Sequence, residues 1–288
     1  MRLLIFGFGY TARFVAERLS ARCESIVGTV RTAEKAGSAP SGVQLRVFHP
    51  DAYDPALERD LQRATHVLSS VQPNGGDPVL RAFGPTLAQA PRLSWIGYLS
   101  TIGVYGDHGG AWIDETTPTT AGRSRSQTRI DVEQEWLRLE AESGKAVQVF
   151  RLGGIYGPGR NPLLNLSDGT ARRIVKPGQV FNRIHVEDIA RAIEASVDRP
   201  RGGAIYNVVD DEPAPPQDVV AFAARLLGVE PPAEIPFEEA ELSPMGRSFY
   251  SENRRLSNRL IKEELGVRLA YPTYREGLRA LYESGEGA

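Results

Sequence analysis

The chain has 288 residues, 41% hydrophobic and 24% charged, which is enough for one large or two small domains around a substantial core. A net charge of -2 supplies no global field for nucleic acid or an anionic membrane, so a nucleic-acid binder would need a local basic patch. Cys23 is the only cysteine, which excludes an intrachain disulfide framework and a cysteine-based zinc site.

The apolar run Leu3-Leu4-Ile5-Phe6 is too short for the core of an export signal and runs directly into glycines. No stretch approaches the ~18 apolar residues of a membrane-spanning helix. The expectation is a soluble, cytoplasmic protein with neither a membrane nor a nucleic-acid partner. Histidines 49, 66, 108 and 185 lack metal-ligand spacing, so no metal is expected.

Residues 2–6 read as a buried strand, and 11–21 as a helix with an apolar stripe through Phe14, Val15 and Leu19. Strands are expected over 25–30 and 42–48, a helix over 55–64, and a strand over 65–71. After Gly75-Gly76 a helix follows at 78–90, then a strand at 93–100. Such alternation implies parallel βαβ units, hence an α/β class with a doubly wound parallel sheet, the Rossmann fold. Residues 103–122, rich in Gly, Thr and Pro, read as a long loop, and loops of that length are usually functional or mobile. A long helix spans 124–143 and a strand 147–152. Later come a helix at 186–197, a strand at 204–209, and helices near 217–227, 256–265 and 274–282. Residues 229–250 show weak periodicity.

Gly7-Phe8-Gly9-Tyr10-Thr11-Ala12 joins the first strand to the first helix, where a dinucleotide site requires its turn. Gly7 permits the tight turn, Gly9 lets backbone approach a pyrophosphate, and Ala12 keeps helix and strand close. N–H groups at the helix start attract phosphate oxygens. The expected cofactor is therefore NADP or NAD. An NAD site wants an acid about 20 residues further on to hold the ribose 2′-hydroxyl. Here the sequence reads Gly28-Thr29-Val30-Arg31-Thr32, with an arginine and no acid. Arg31 suits a 2′-phosphate through charge-assisted bonds, which favours NADP(H). The bland alternative is a surface charge. Ser69 and Ser70, at a strand's carboxyl end, either touch the cofactor or simply end the strand.

Three further segments carry a family resemblance. Leu99-Ser100-Thr101-Ile102-Gly103-Val104-Tyr105-Gly106, Arg151-Leu152-Gly153-Gly154-Ile155-Tyr156-Gly157-Pro158-Gly159 and Phe181-Asn182-Arg183-Ile184-His185-Val186-Glu187-Asp188 follow the glycine turn in order. Together they resemble the NAD(P)-dependent epimerase/dehydratase family of short-chain dehydrogenase/reductases, over residues 2 to about 228. The resemblance implies a cofactor domain of residues 1–159 with its sheet completed by 183–209. A smaller substrate-binding part would come from 160–182 and 210–288. It also implies a homodimer option, through helices 79–90 and 124–142.

The family's chemistry uses a Ser/Thr, a Tyr and a Lys, combining proton transfer with hydride transfer. Thr101 matches the first. The Tyr-x-x-x-Lys pair is missing, and anchoring on Glu133 puts Arg125 and Arg129 in its place. The only lysines are Lys35, Lys145, Lys176 and Lys262. Arginine stays protonated, so Arg125 is a poor proton donor but can stabilise an oxyanion or clamp a carboxylate. Arg129 is a candidate for the lysine's role on the ribose. Tyr105 or Tyr156 is the substitute proton donor if chemistry survives, although both tyrosines also suit structural roles.

Arg160, Arg172, Arg173, Lys176, Arg183 and His185 gather in the substrate region. They either grip an anionic small-molecule substrate or form a solvated charged face. Two readings stand. One is an NADP(H)-dependent oxidoreductase or epimerase acting on a small carbonyl or sugar-like substrate with an atypical active site. The other is an inactive NADP(H)-binding sensor or partner-binding module.

Overall fold

The computed structural model describes residues 1–49, 52–120 and 124–287, the side chains of 124 and 125 excepted. The chain runs β1 (Arg2–Phe6), α1 (Tyr10–Leu19), β2 (Ser25–Val30), α2 (Ala33–Ala36), β3 (Val43–His49), β4 (Ala52–Tyr53), α3 (Ala56–Arg63), β5 (His66–Ser69), α4 (Pro78–Gln89), β6 (Trp95–Thr101), β7 (Trp112–Ile113) and α5 (Ser124–Ser143). It continues with β8 (Ala146–Leu152), β9 (Gly154–Tyr156), α6 (Pro162–Ser167), β10 (Arg173–Val175), β11 (Arg183–His185), α7 (Val186–Asp198), β12 (Ala204–Val208), α8 (Pro216–Leu227), β13 (Glu234–Pro236), α9 (Pro244–Phe249), β14 (Arg255–Leu256), α10 (Arg259–Glu263) and α11 (Tyr274–Glu283).

The main sheet has eight strands in the order β12-β8-β6-β5-β1-β2-β3-β4, all parallel except β4. From β1 the chain winds outward through β2 and β3, then returns to β5 on the other side of β1. That reversal makes the β1/β5 boundary the topological switch point, where ligands bind in doubly wound sheets.

Strand periodicity sends alternate side chains to opposite faces. Leu3 and Ile5 of β1 face the core closed by α1 and α7, with Val15, Ile189 and Ile193. Leu4 and Phe6 face the other core, closed by α3, α4 and α5 through Leu61, Phe83 and Trp136. The long α5 carries Ile130, Glu133 and Trp136 on its inner face, so one carboxylate enters an otherwise apolar stripe. Asp77 starts α4 by accepting from the N–H groups of Val79 and Leu80, and also accepts from Trp136 Nε1 at 2.9 Å.

One expectation needs correction. The stretch 256–265 is not one helix. Leu256 closes β14, which pairs with β7, and the helix α10 starts only at Arg259. The bond from Leu256 N–H to Asn182 Oδ1 (2.8 Å) commits that backbone to tertiary pairing. The described part of loop 103–122 contains β7 and bonds to the segment before β14. The N–H groups of His108 and Gly110 both donate to the Asn253 carbonyl, and Asn253 N–H donates to Asp107 Oδ1. Among the described residues no helix is long and apolar enough to cross a membrane.

Candidate functional site

At the end of β1, Gly7 adopts φ +84°, a left-handed conformation that glycine takes without strain. A Cβ there would also lie 3.1 Å from the Ser70 carbonyl carbon. Thr29 on β2 holds the turn: its Oγ1 accepts from Gly7 N–H (2.9 Å) and its carbonyl from Phe8 N–H (2.7 Å). The Phe8 ring is buried under Gly28, where a Cβ would collide with it at 2.5 Å. Two glycines therefore let the turn lie flat on the sheet.

Gly9 caps α1 without any side-chain bond, and the first turn of the helix carries no acid. The first N–H groups of a helix have no intrahelical partner. Space is open at Gly9, where a Cβ would meet nothing within 4 Å. An uncapped helix start beside open space at the switch point is the cradle a pyrophosphate needs. Thr11 and Ala12 are buried, and Ala12 lets α1 sit close to the sheet. Tyr10 turns away from the sheet and donates to the Pro158 carbonyl (3.0 Å), with the Arg160 guanidinium 5.9 Å from its ring. Burial, tempered by Arg160, pushes its phenol up to about 12. The Gly157-Pro158-Gly159 turn thus packs on the glycine turn of β1.

Arg31 lies beyond the end of β2, exposed and without a hydrogen bond or ion pair among the described residues. Thr32 is exposed and caps α2 by accepting from Lys35 N–H (3.4 Å). Ser69 is fully buried and its Oγ has no hydrogen-bond partner among the described residues. Ser70 borders the Gly7 turn and donates its N–H to Phe6 O.

Thr101 ends β6 on the wall of a cavity of about 820 Å³. Its Oγ1 accepts from Gly103 N–H (3.1 Å), which leaves the hydroxyl proton free to donate. Arg125 stands on α5, but its side chain lies outside the described residues. Arg129, one helical turn on, points down to β6, donating to Tyr98 Oη (3.1 Å) and the Leu99 carbonyl (3.5 Å).

Tyr105 is not brought to the cavity wall. It is fully buried, its hydroxyl donates to Asn207 Oδ1 on β12 (2.8 Å), and Arg151 lies 4.7 Å over its ring. Burial raises its pKa, with Arg151 partly opposing. Tyr156 does line the cavity, donating to the Thr273 carbonyl at 3.4 Å. Burial, reinforced by Asp210 and Asp188, pushes its phenol above the ordinary range, which makes it a hydrogen-bond donor and a weak acid.

The five cations and the histidine of the substrate region disperse. Arg172 donates to the Glu241 carbonyl, Arg173 pairs with Glu234, and Lys176 donates to the Tyr250 carbonyl. His185 is buried between Tyr156 and Tyr271, and its Nδ1 caps α7 by accepting from Glu187 N–H. Arg183 alone of the six lines the cavity. Sequence reasoning also missed the buried Glu133–Arg151 pair behind Thr101. The available signal was a glutamate on the apolar stripe of α5.

No family model matches the chain. It is 31% identical over 285 residues to Protein YeeZ of Escherichia coli (strain K12), covering 94% of this chain and 96% of that protein. A conserved protein of unknown function from Silicibacter pomeroyi DSS superposes with a TM-score of 0.90 at 50% identity over 99% of both chains. A protein from Methylobacillus flagellatus classed as an NAD-dependent epimerase/dehydratase superposes with a TM-score of 0.74 at 25% identity over 98% of both chains.

Proposed function

This chain belongs to the NAD(P)-dependent epimerase/dehydratase family of the short-chain dehydrogenase/reductase superfamily, and on that footing we propose that it is an oxidoreductase or epimerase-like enzyme using NADP(H), in preference to NAD(H), on a small carbonyl or sugar-like substrate. The observation that carries this reading is the uncapped start of α1 at Gly9, open to solvent at the switch point. The NAD-dependent class of the Methylobacillus relative supports a nicotinamide cofactor. Preference for the 2′-phosphate rests on Arg31, exposed and without an ion pair among the described residues, beyond β2 where an NAD site would place an acid.

When bound, the nicotinamide would give or accept a hydride. The chain's residues do the rest. The start of α1 and the Gly7–Gly9 backbone would hold the pyrophosphate. The Thr101 proton, left free because Gly103 supplies the other bond, meets the substrate oxygen. Residues 160–182 and 210–288 supply the substrate side of the cavity, through Pro162, Phe181 and Tyr250 among others.

A second reading has an observation in its favour. Arg129 is committed to Tyr98 and Leu99, which suits a protein that binds NADP(H) without hydride chemistry. Titration with NADPH and NADH, followed by nicotinamide fluorescence on wild type and Arg31→Ala, tests the shared premise. NADPH should bind more tightly, and the substitution should weaken NADPH alone, by about tenfold. Failure to bind either nucleotide overturns both readings. Turnover of NADPH with a carbonyl panel then separates the enzyme from the sensor.

A further inference from the structure

We propose that the cavity beside Thr101 takes a substrate with an aromatic body and a single carboxylate, the carboxylate pairing with Arg183. This rests on reading the cavity as the substrate site.

The charge inventory of the cavity is short. Among the described residues, its charged lining residues are Arg183, Glu252 and Arg254. Glu252 and Arg254 neutralise each other at 2.8 Å. Arg183 has no carboxylate within ion-pair distance among the described residues. Its Nη1 donates to the carbonyls of Phe181 and Ala214, both at 3.0 Å, which fixes the plane of the guanidinium. Its Nε and Nη2 make no hydrogen bond among the described residues. One cation is thus held rigid and unneutralised on the wall.

Burial pulls the Arg183 pKa down, yet a guanidinium remains charged. Asp210, the acid that acts on it most, is itself buried, and burial pushes its carboxyl well above the usual carboxylate range. A half-buried guanidinium with no carboxylate beside it among the described residues gains from an incoming anion. The fork of an arginine matches a carboxylate in two parallel bonds. A nucleoside diphosphate carries at least two charges, more than the one unpaired cation among the described lining residues matches. The remaining wall is rich in rings: Tyr156, Phe181, Phe249, Tyr250 and Tyr274. Aromatic walls favour a flat, apolar body.

The test uses the full-length chain and two small probes of equal shape, trans-cinnamate and its neutral amide, by isothermal titration. Cinnamate should bind at least about tenfold more tightly than the amide. Arg183→Met should erase that preference, and Arg183→Lys should keep part of it. Equal binding of the two probes, or no cinnamate binding at millimolar concentration, overturns the proposal. So does tighter binding of phenyl phosphate than of cinnamate. If Arg183→Met does not fold, Arg183→Lys and Phe249→Ala decide. Phe249 is 62% exposed at the cavity, so its loss should weaken both probes several-fold without changing the preference, and an unchanged affinity counts against the site. NADPH titration of the same wild-type sample keeps the two ideas apart. Cofactor binding without cinnamate binding sinks only the substrate class, and the reverse sinks only the cofactor reading.

Discussion

Glu133 on α5 and Arg151 on β8 meet inside the core, Oε2 to Nη2 at 2.7 Å, with side chains only 4% and 5% exposed. Ser100 Oγ donates to the same carboxylate at 2.5 Å, and Arg151 also lies over Tyr105. The pair therefore ties α5, β6 and β8 together directly behind Thr101. Breaking a buried pair from one side strands a charge and costs about 3–5 kcal/mol, whereas apolar replacement of both is often neutral. Glu133→Leu and Arg151→Met should each destabilise by that amount in urea titration, and the double variant should lose less than either. A double variant equal to the sum of the singles would show that the pair is not coupled.

The two glycines of the turn should separate folding from binding. Gly7→Ala meets the Ser70 backbone at 3.1 Å and forces φ +84° on a residue with a Cβ, so it should cost at least about 1 kcal/mol of stability. Gly9→Ala meets nothing and sits at an ordinary φ of -99°. Its melting temperature should stay close to wild type, while its methyl enters the phosphate cradle and weakens NADPH by tenfold or more, about 1.4 kcal/mol. Unchanged NADPH affinity in Gly9→Ala would remove the cradle from that turn.

Thr101 offers a test of chemistry. Thr101→Ser keeps both the Gly103 bond and the free proton. Thr101→Val loses both. Once a turned-over carbonyl substrate is found, the valine variant should lose about 10²–10⁴ in kcat while NADPH affinity holds. The serine variant should stay within a few-fold of wild type. Equal rates in all three would exclude the hydroxyl from the reaction.

His185 makes the fold sensitive to mild acid. It is 1% exposed, and burial pushes its pKa down from 6.5 to about 4. The unfolded chain binds this proton more tightly than the folded one. Stability is therefore fully present above about pH 6.5 and falls as pH drops toward about 4, by up to ~1.4 kcal/mol per pH unit. His66 shifts in the same direction through burial and adds to the slope. His185→Asn, which can still cap α7, should flatten the dependence of urea midpoint on pH by one group's share. An unchanged slope would mean that His185 already protonates in the native state.

The alternation of strands and helices, the glycine turn and the order of the later motifs were legible in the sequence, because period, turn chemistry and helix caps are local properties. The expected strand at 25–30 and helix at 124–143 match β2 and α5 in both bounds, since each carries its signal within its own residues. The limits of local reading show at Leu256, where apolar periodicity suggested helix but pairing with β7 took the backbone. The site depended on distance in the chain rather than pattern. Tyr105 is buried because Asn207, 102 residues away, accepts its hydroxyl proton. Arg129 is turned inward by Tyr98, 31 residues before it. The five cations and one histidine that looked alike in sequence differ in what each one meets, whether a carbonyl, a carboxylate, a ring or an N–H, and Arg183 is the one that meets a cavity. Burial and Coulomb interactions act through space, so only the tertiary structure could decide which of these charges is left unpaired for a ligand.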